Sequence, residues 1–250
     1  MPLHLVIGAI LAALVGVSLG LLGGGGSIIT VPLLVYVLGV EPHASVGMSL
    51  AVVGITSLIG AIVHFRRGTV DGRTGALFAG SGMVAAYFGS RLTRLFSDQG
   101  LMLTFAGLMI VIGVLMLFRR GTADTEETTK KSSAWKALLA GVGVGVLTGA
   151  LGVGGGFLIV PALVFFGGLG MRQAVGTSLV VIAINCAAGF AGHFGAEGLD
   201  LGITALVAGP AAAGTIVGAR LANTISPSSL RKSFAVFVIL VAFYLIWKNV

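Results

Sequence analysis

Residues 20–35 read GLLGGGGSIITVPLLV, and residues 149–164 read GALGVGGGFLIVPALV. Pro32 and Pro161 stand 129 positions apart, and the same offset pairs Gly47 with Gly176, Ser49 with Ser178, His64 with His193, Asp71 with Asp200 and Arg91 with Arg220. The register runs without a gap for roughly 110 residues, so the chain is one apolar unit written twice. In a membrane protein that pattern is the sequence form of a transporter built from two repeats.

The membrane setting follows from composition. Hydrophobic residues make up 56% of the 250 positions and charged residues only 9%, with a mean hydropathy of +1.08, which excludes a soluble domain. Apolar runs near 3–22, 44–65, 74–90, 101–118, 136–151, 174–194, 202–219 and 233–247 approach or exceed bilayer-crossing length. The first run has no basic residue before it and no cleavage-site pattern after it, so it is expected to be a retained helix and not a signal peptide. A net charge of +7 does not indicate nucleic acid, because the basic residues stand singly or in pairs between apolar runs. Cys186 is the single cysteine, so neither a disulfide nor a cysteine metal site is available.

The expected fold is an all-α polytopic membrane protein with two repeats of about five segments each. The first repeat covers residues 1–118, a polar linker 119–136, and the second repeat 137–250. Each repeat has four long apolar runs and one short one, Ser27–Gly39 or Phe157–Leu169. A helix of that length reaches only about 20 Å, too little for a hydrocarbon core of about 30 Å, so it is expected to be broken or re-entrant. Placing the N-terminus outside and reversing at each segment puts twelve basic residues inside and three (Arg91, Arg94 and Lys248) outside. Both termini are therefore expected outside and the linker in the cytoplasm. An odd number of reversals per repeat makes the repeats inverted.

Glycine lets a helix stop and restart, and a restarted helix exposes unpaired N–H groups with a positive dipole end. Inverted repeats would bring two such ends to one point near the midplane. The candidate anion-facing groups are the backbones of Gly24, Gly25, Gly26 and Ser27, and of Gly154, Gly155, Gly156 and Phe157. No Asp, Glu, Lys or Arg lies in the interior of any apolar run, and a site of neutral dipoles suits a compact anion better than a metal cation. Ser49, Thr56, Thr177, Ser178 and Asn185 are candidate lining side chains, each equally able to hydrogen-bond between helices. Asn185 stands out because a carboxamide in a Val, Ile and Ala run needs a partner.

His64 and His193 end equivalent runs and are candidates for gating or pH sensing, against the commoner role of interface anchors. Arg91 and Arg220 are expected to snorkel or cap, Asp71 and Asp200 to N-cap, and Pro32 and Pro161 to kink the short helices. An enzyme is not expected: AGSG at 79–82 lacks the first glycine of a serine-protease motif, and Ser81 is matched by Pro210 in the second repeat.

The doubled G-x-L-G-x-G-G-G-x-x-x-V-P-x-L pattern resembles the TauE/SafE family of anion permeases. It lies on Gly20, Gly23, Gly25, Gly26 and Pro32, then on Gly149, Gly152, Gly154, Gly155, Gly156 and Pro161, with Ser27 standing where the second copy has Gly156. The resemblance implies transport of sulfite or an organosulfonate; the residues alone give only a small anion and a neutral site. A secondary transporter is thus expected in the cell (inner) membrane, with a passive channel or a non-transporting scaffold subunit as alternatives. Its partners are a small anionic substrate and the lipid bilayer; a proton or sodium coupling ion and a homo-oligomer stay open. No cofactor, metal or nucleic acid is expected.

Overall fold

The computed structural model describes residues 3–92, 98–118, 134–151, 156–193 and 200–249, with side chains for 5–41, 44–86, 106–118, 135–147, 156–190, 200–244 and 246–247. The described residues form ten helices and no strands, five helices in each half. In the first half these are α1 (Leu3–Leu22), α2 (Gly25–Pro32), α3 (Pro42–Phe65), α4 (Gly72–Leu92) and α5 (Asp98–Phe118), with a π-helical stretch Leu33–Val37 continuing α2. The second half holds α6 (Ala134–Leu151), α7 (Gly156–Phe165), α8 (Met171–His193), α9 (Leu201–Leu221) and α10 (Pro227–Asn249). Five of them (α1, α3, α8, α9 and α10) are long and apolar enough to cross a membrane.

Local chemistry sets the helix starts. Asp200 accepts from the amides of Gly202 and Ile203, and Asp71 accepts from the amide and hydroxyl of Thr74, so both aspartates cap as their positions imply. Helix α10 begins six residues before its apolar run because Pro227 suits a first turn and the Ser226 hydroxyl accepts from the Ser229 amide. Both short helices also begin earlier than the apolar pattern suggests, since Gly25, Gly26 and Gly156 are themselves helical. At Pro32 the α-helix gives way to the wider π turn; α7 runs through Pro161 to Phe165.

Packing across the halves rests on small residues. A Cβ on Gly16 would fall on the Ala211 carbonyl, one on Gly20 on the Thr215 carbonyl, one on Gly214 on the Ala13 carbonyl and one on Gly218 on the Val17 carbonyl. Helices α1 and α9 therefore lie backbone to backbone, running parallel, as only small residues allow. The same contact recurs with the halves exchanged, because a Cβ on Gly145 would fall on the Gly82 carbonyl. Residues 145 and 82 are the 129-offset partners of 16 and 211. Equivalent helices α3 and α8 also contact reciprocally: Gly60 faces Leu179 and Gly189 faces Leu50, again offset partners. Since 50 meets 189, 54 meets 186 and 60 meets 179, these two run antiparallel.

Two arginines lie at one end of this bundle. Arg67 donates to the carbonyls of Ala219 (3.3 Å) and Arg220 (3.4 Å) at the end of α9, and Arg172 to those of Asn223 (3.1 Å) and Ile225 (3.0 Å). Guanidinium groups suit helix C-termini because the last carbonyls lack partners and the dipole is negative there.

Candidate functional site

The first glycine motif makes a sharp turn whose geometry excludes side chains. Gly23 has φ +75°, a left-handed conformation that favours glycine, and its amide closes α1 by donating to the Leu19 carbonyl (2.8 Å). Its own carbonyl accepts from the Ser178 hydroxyl at 2.7 Å, which fixes the turn to α8. Helix α2 restarts two residues later, with Gly24 as an N-cap that has no side chain to cap it. The Ser27 hydroxyl donates back to the Gly24 carbonyl (2.8 Å). Gly24, Gly25 and Gly26 are buried, and no acceptor among the described residues pairs with their amides. A buried, uncapped helix start offers its donors and positive dipole end to an anion.

The second short helix meets the first at this point. A Cβ on Gly24 would land on the backbone of Gly156 and lie 3.0 Å from the Phe157 Cα. A Cβ on Gly156 would lie 2.9 Å from the Ser27 Oγ and 3.1 Å from the Ile182 Cδ1. The tips of α2 and α7 thus touch, with the expected residues Gly24, Gly25, Gly26, Ser27, Gly156 and Phe157 gathered around the contact. Gly154 and Gly155 lie outside the described residues. Phe157 is fully buried, so it contributes backbone and core packing.

Beside the tips lies a cavity of about 230 Å³, walled by Leu50, Phe78, Ile159, Ile182, Cys186 and small residues of α4, α6 and α8. Asn185 is its one polar side chain apart from the thiol, and the Asn185 Oδ1 is buried without a hydrogen-bond partner. Ser178, Ile182 and Asn185 follow at helical spacing along one face of α8. That face links the anchored turn, the α7 tip and the cavity.

The remaining candidates are placed in the scaffold. Thr56 donates within its own helix to the carbonyls of Val52 (2.7 Å) and Val53 (3.1 Å). Thr177 accepts from the Asp71 amide (3.0 Å), tying the α3–α4 loop to α8. Ser49 is buried. His64 is fully buried, with Nδ1 3.0 Å from the Thr69 Oγ1 and Nε2 3.4 Å from the Gly20 carbonyl, so it joins α1 to the α3–α4 loop and is not an interface anchor. The side chains of His193 and Arg91 lie outside the described residues. The apolar walls Phe78, Ile159 and Ile182 carry no sequence signal, since membrane-facing residues look the same.

The family model described as sulfite exporter TauE/SafE matches residues 8–245. A protein of Xylella fastidiosa (strain Temecula1) named probable membrane transporter protein is 37% identical over 244 residues, covering 94% of this chain and 92% of that protein. The probable membrane transporter protein YdhB of Bacillus subtilis is 30% identical over 229 residues, with 90% and 92% covered. A probable membrane transporter protein of Methanocaldococcus jannaschii is 25% identical over 245 residues, with 92% and 90% covered. No solved structure matches the chain.

Proposed function

The chain belongs to the sulfite exporter TauE/SafE family, and from that premise we propose that it is a secondary transporter of a small anion, sulfite or an organosulfonate. The anion would sit where the α2 tip meets the α7 tip, open to the Asn185 cavity. One observation carries the reading: the buried amides of Gly24–Gly26 have no acceptor among the described residues, at a helix start that no side chain caps. Donors left unpaired in a low-dielectric interior are costly unless a ligand accepts from them. Among the described residues no acidic side chain is buried, so the local field favours an anion over a cation.

The antiparallel, reciprocal packing of α3 and α8 supports repeats inverted across the bilayer, with the two tips approaching from opposite faces. The gathered arginines support an inner-membrane topology with both termini outside and the linker cytoplasmic. Movement of one bundle against the other would then carry the anion across. A proton or sodium ion as driver, and assembly as a homo-oligomer, belong to the same reading.

Purified protein in liposomes loaded with labelled sulfite tests it. Efflux should saturate and be accelerated by unlabelled sulfite on the far side. Flux that does not saturate and ignores far-side sulfite would replace the transporter with a channel. No movement of sulfite, sulfonate or carboxylate would leave a scaffold subunit.

A further inference from the structure

The residues that line the Asn185 cavity have counterparts at the 129-residue offset in the other half. The 129-residue offset carries Ile159 to Thr30, Asn185 to Thr56, Cys186 to Ser57 and Ala86 to Thr215. These four counterparts are 0–1% exposed. Their surroundings are in contact: a Cβ on Gly60 would lie 3.0 Å from both the Leu179 Cδ1 and the Thr215 Cγ2. Gly60 is itself the counterpart of Gly189 on the cavity wall. We propose that Thr30, Thr56, Ser57 and Thr215 form a second substrate-lining surface, closed in this conformation, which accepts an oxyanion through hydroxyl donors when the Asn185 cavity closes. The proposal rests on the transporter reading above and adds to it the residues of the opposite half-path.

The chemistry of the four residues fits that role. Thr30 donates to the Gly26 carbonyl (3.1 Å), Thr56 to Val52 (2.7 Å) and Thr215 to Ala211 (2.9 Å), each within its own helix. Those carbonyls belong to the helix ladder, so the hydroxyls can turn to a ligand without breaking it. The Ser57 Oγ is buried with no hydrogen-bond partner. A buried orphan of that kind is accounted for if its partner arrives in another conformation. The orphans Ser57 Oγ and Asn185 Oδ1 occupy neighbouring positions in the two equivalent sites. What the second site presents to a ligand is a set of hydroxyls where the open cavity presents a carboxamide and a thiol.

Closure is secured between the halves at the basic end. The Asp71 amide donates to the Thr177 Oγ1 at 3.0 Å, and Arg67 donates to the Ala219 carbonyl at 3.3 Å. The offset partners of Thr177 and Arg67 are Met48 and Ala196, which can make neither side-chain bond. These bonds form a latch at one end whose side chains the sequence does not duplicate at the other.

Thiol labelling of the full chain in liposomes, with a small membrane-impermeant methanethiosulfonate applied from each side, tests this surface. Cys186, the single cysteine, should react from one side. In a Cys186→Ser background, Ser57→Cys should react only from the opposite side, slowly, and about tenfold faster once Thr177→Val removes a latch bond and raises the open population. Methanesulfonate, an organosulfonate that unlike sulfite neither consumes the thiosulfonate reagent nor cleaves the mixed disulfide, should slow that reaction. Thr30→Cys repeats the measurement if Ser57→Cys yields too little folded protein. Cysteines at both positions that stay inert with the latch removed, or that react from the side that labels Cys186, overturn the proposal; absence of protection by methanesulfonate overturns the oxyanion assignment. Two-sided labelling in liposomes that pass no sulfite supports the second surface while overturning the sulfite reading.

Discussion

The Ser27 Oγ lies 2.9 Å from where a Cβ on Gly156 would sit, and the two residues are offset partners. Equivalent residues of the two motifs meet here, and there is room for one side chain between them. The mismatch of serine and glycine in the two motifs is thus a packing requirement. Gly156→Ser should push Ser27 off its bond to the Gly24 carbonyl and cost about 1 kcal/mol. The swap Ser27→Gly with Gly156→Ser should recover part of it, because one hydroxyl again occupies the space. Thermal unfolding of the two singles and the double in detergent measures the coupling.

Ser178 holds the turn through the Gly23 carbonyl. Ser178→Ala should destabilise by about 1 kcal/mol and slow sulfite efflux, since it loosens the start of α2. Gly23→Ala should cost more, roughly 2 kcal/mol, because a side chain is unfavourable at φ +75° and would press on the Ser178 Oγ at 2.5 Å. Unchanged melting and efflux in both variants would detach the turn from the site.

Gly16 and Gly145 make the same contact in the two halves. Gly16→Val and Gly145→Val should therefore be similarly damaging, by roughly 3 kcal/mol each, as the obstacle is backbone in both cases. Gly80→Ala is the matched control: nothing lies within 4 Å of that position, and the change should fall within about 0.5 kcal/mol of the parent. Unfolding in mixed micelles reports all three.

Asn185 separates stability from function. Its Oδ1 has no partner, so Asn185→Leu should leave the melting temperature equal or higher. The shift in melting produced by sulfite should disappear, because a ligand stabilises only the state that binds it. A lower melting temperature with the sulfite shift intact would make Asn185 a packing residue.

Which parts of this were readable in the sequence follows from what each residue type reveals. The helices were, because apolar run length fixes them. So was a break within the glycine run, because glycines between two apolar segments break the helical period, but not that Gly23 is the one that takes the left-handed turn. Asn185 was conspicuous as a carboxamide among aliphatic residues. The roles of Thr56, Thr177 and Ser178 were not readable, since a hydroxyl in a helix can bond to its own turn, to a loop amide or to another motif's carbonyl. Nor was the burial of His64, whose partners Gly20 and Thr69 come from α1 and the loop beyond α3. Ser27 against Gly156 was visible as a mismatch, but its meaning depends on equivalent positions touching in three dimensions.

The pairing of α1 with α9 has a consequence for biogenesis. Ribosomes release the glycine-lined face of α1 among the first spans and its mate almost last, so that face must wait in the translocation machinery or in lipid for most of synthesis. Neither repeat expressed alone could satisfy it. Co-expression of the two halves as separate polypeptides, by contrast, should reassemble them, because the surfaces that interlock are divided between them.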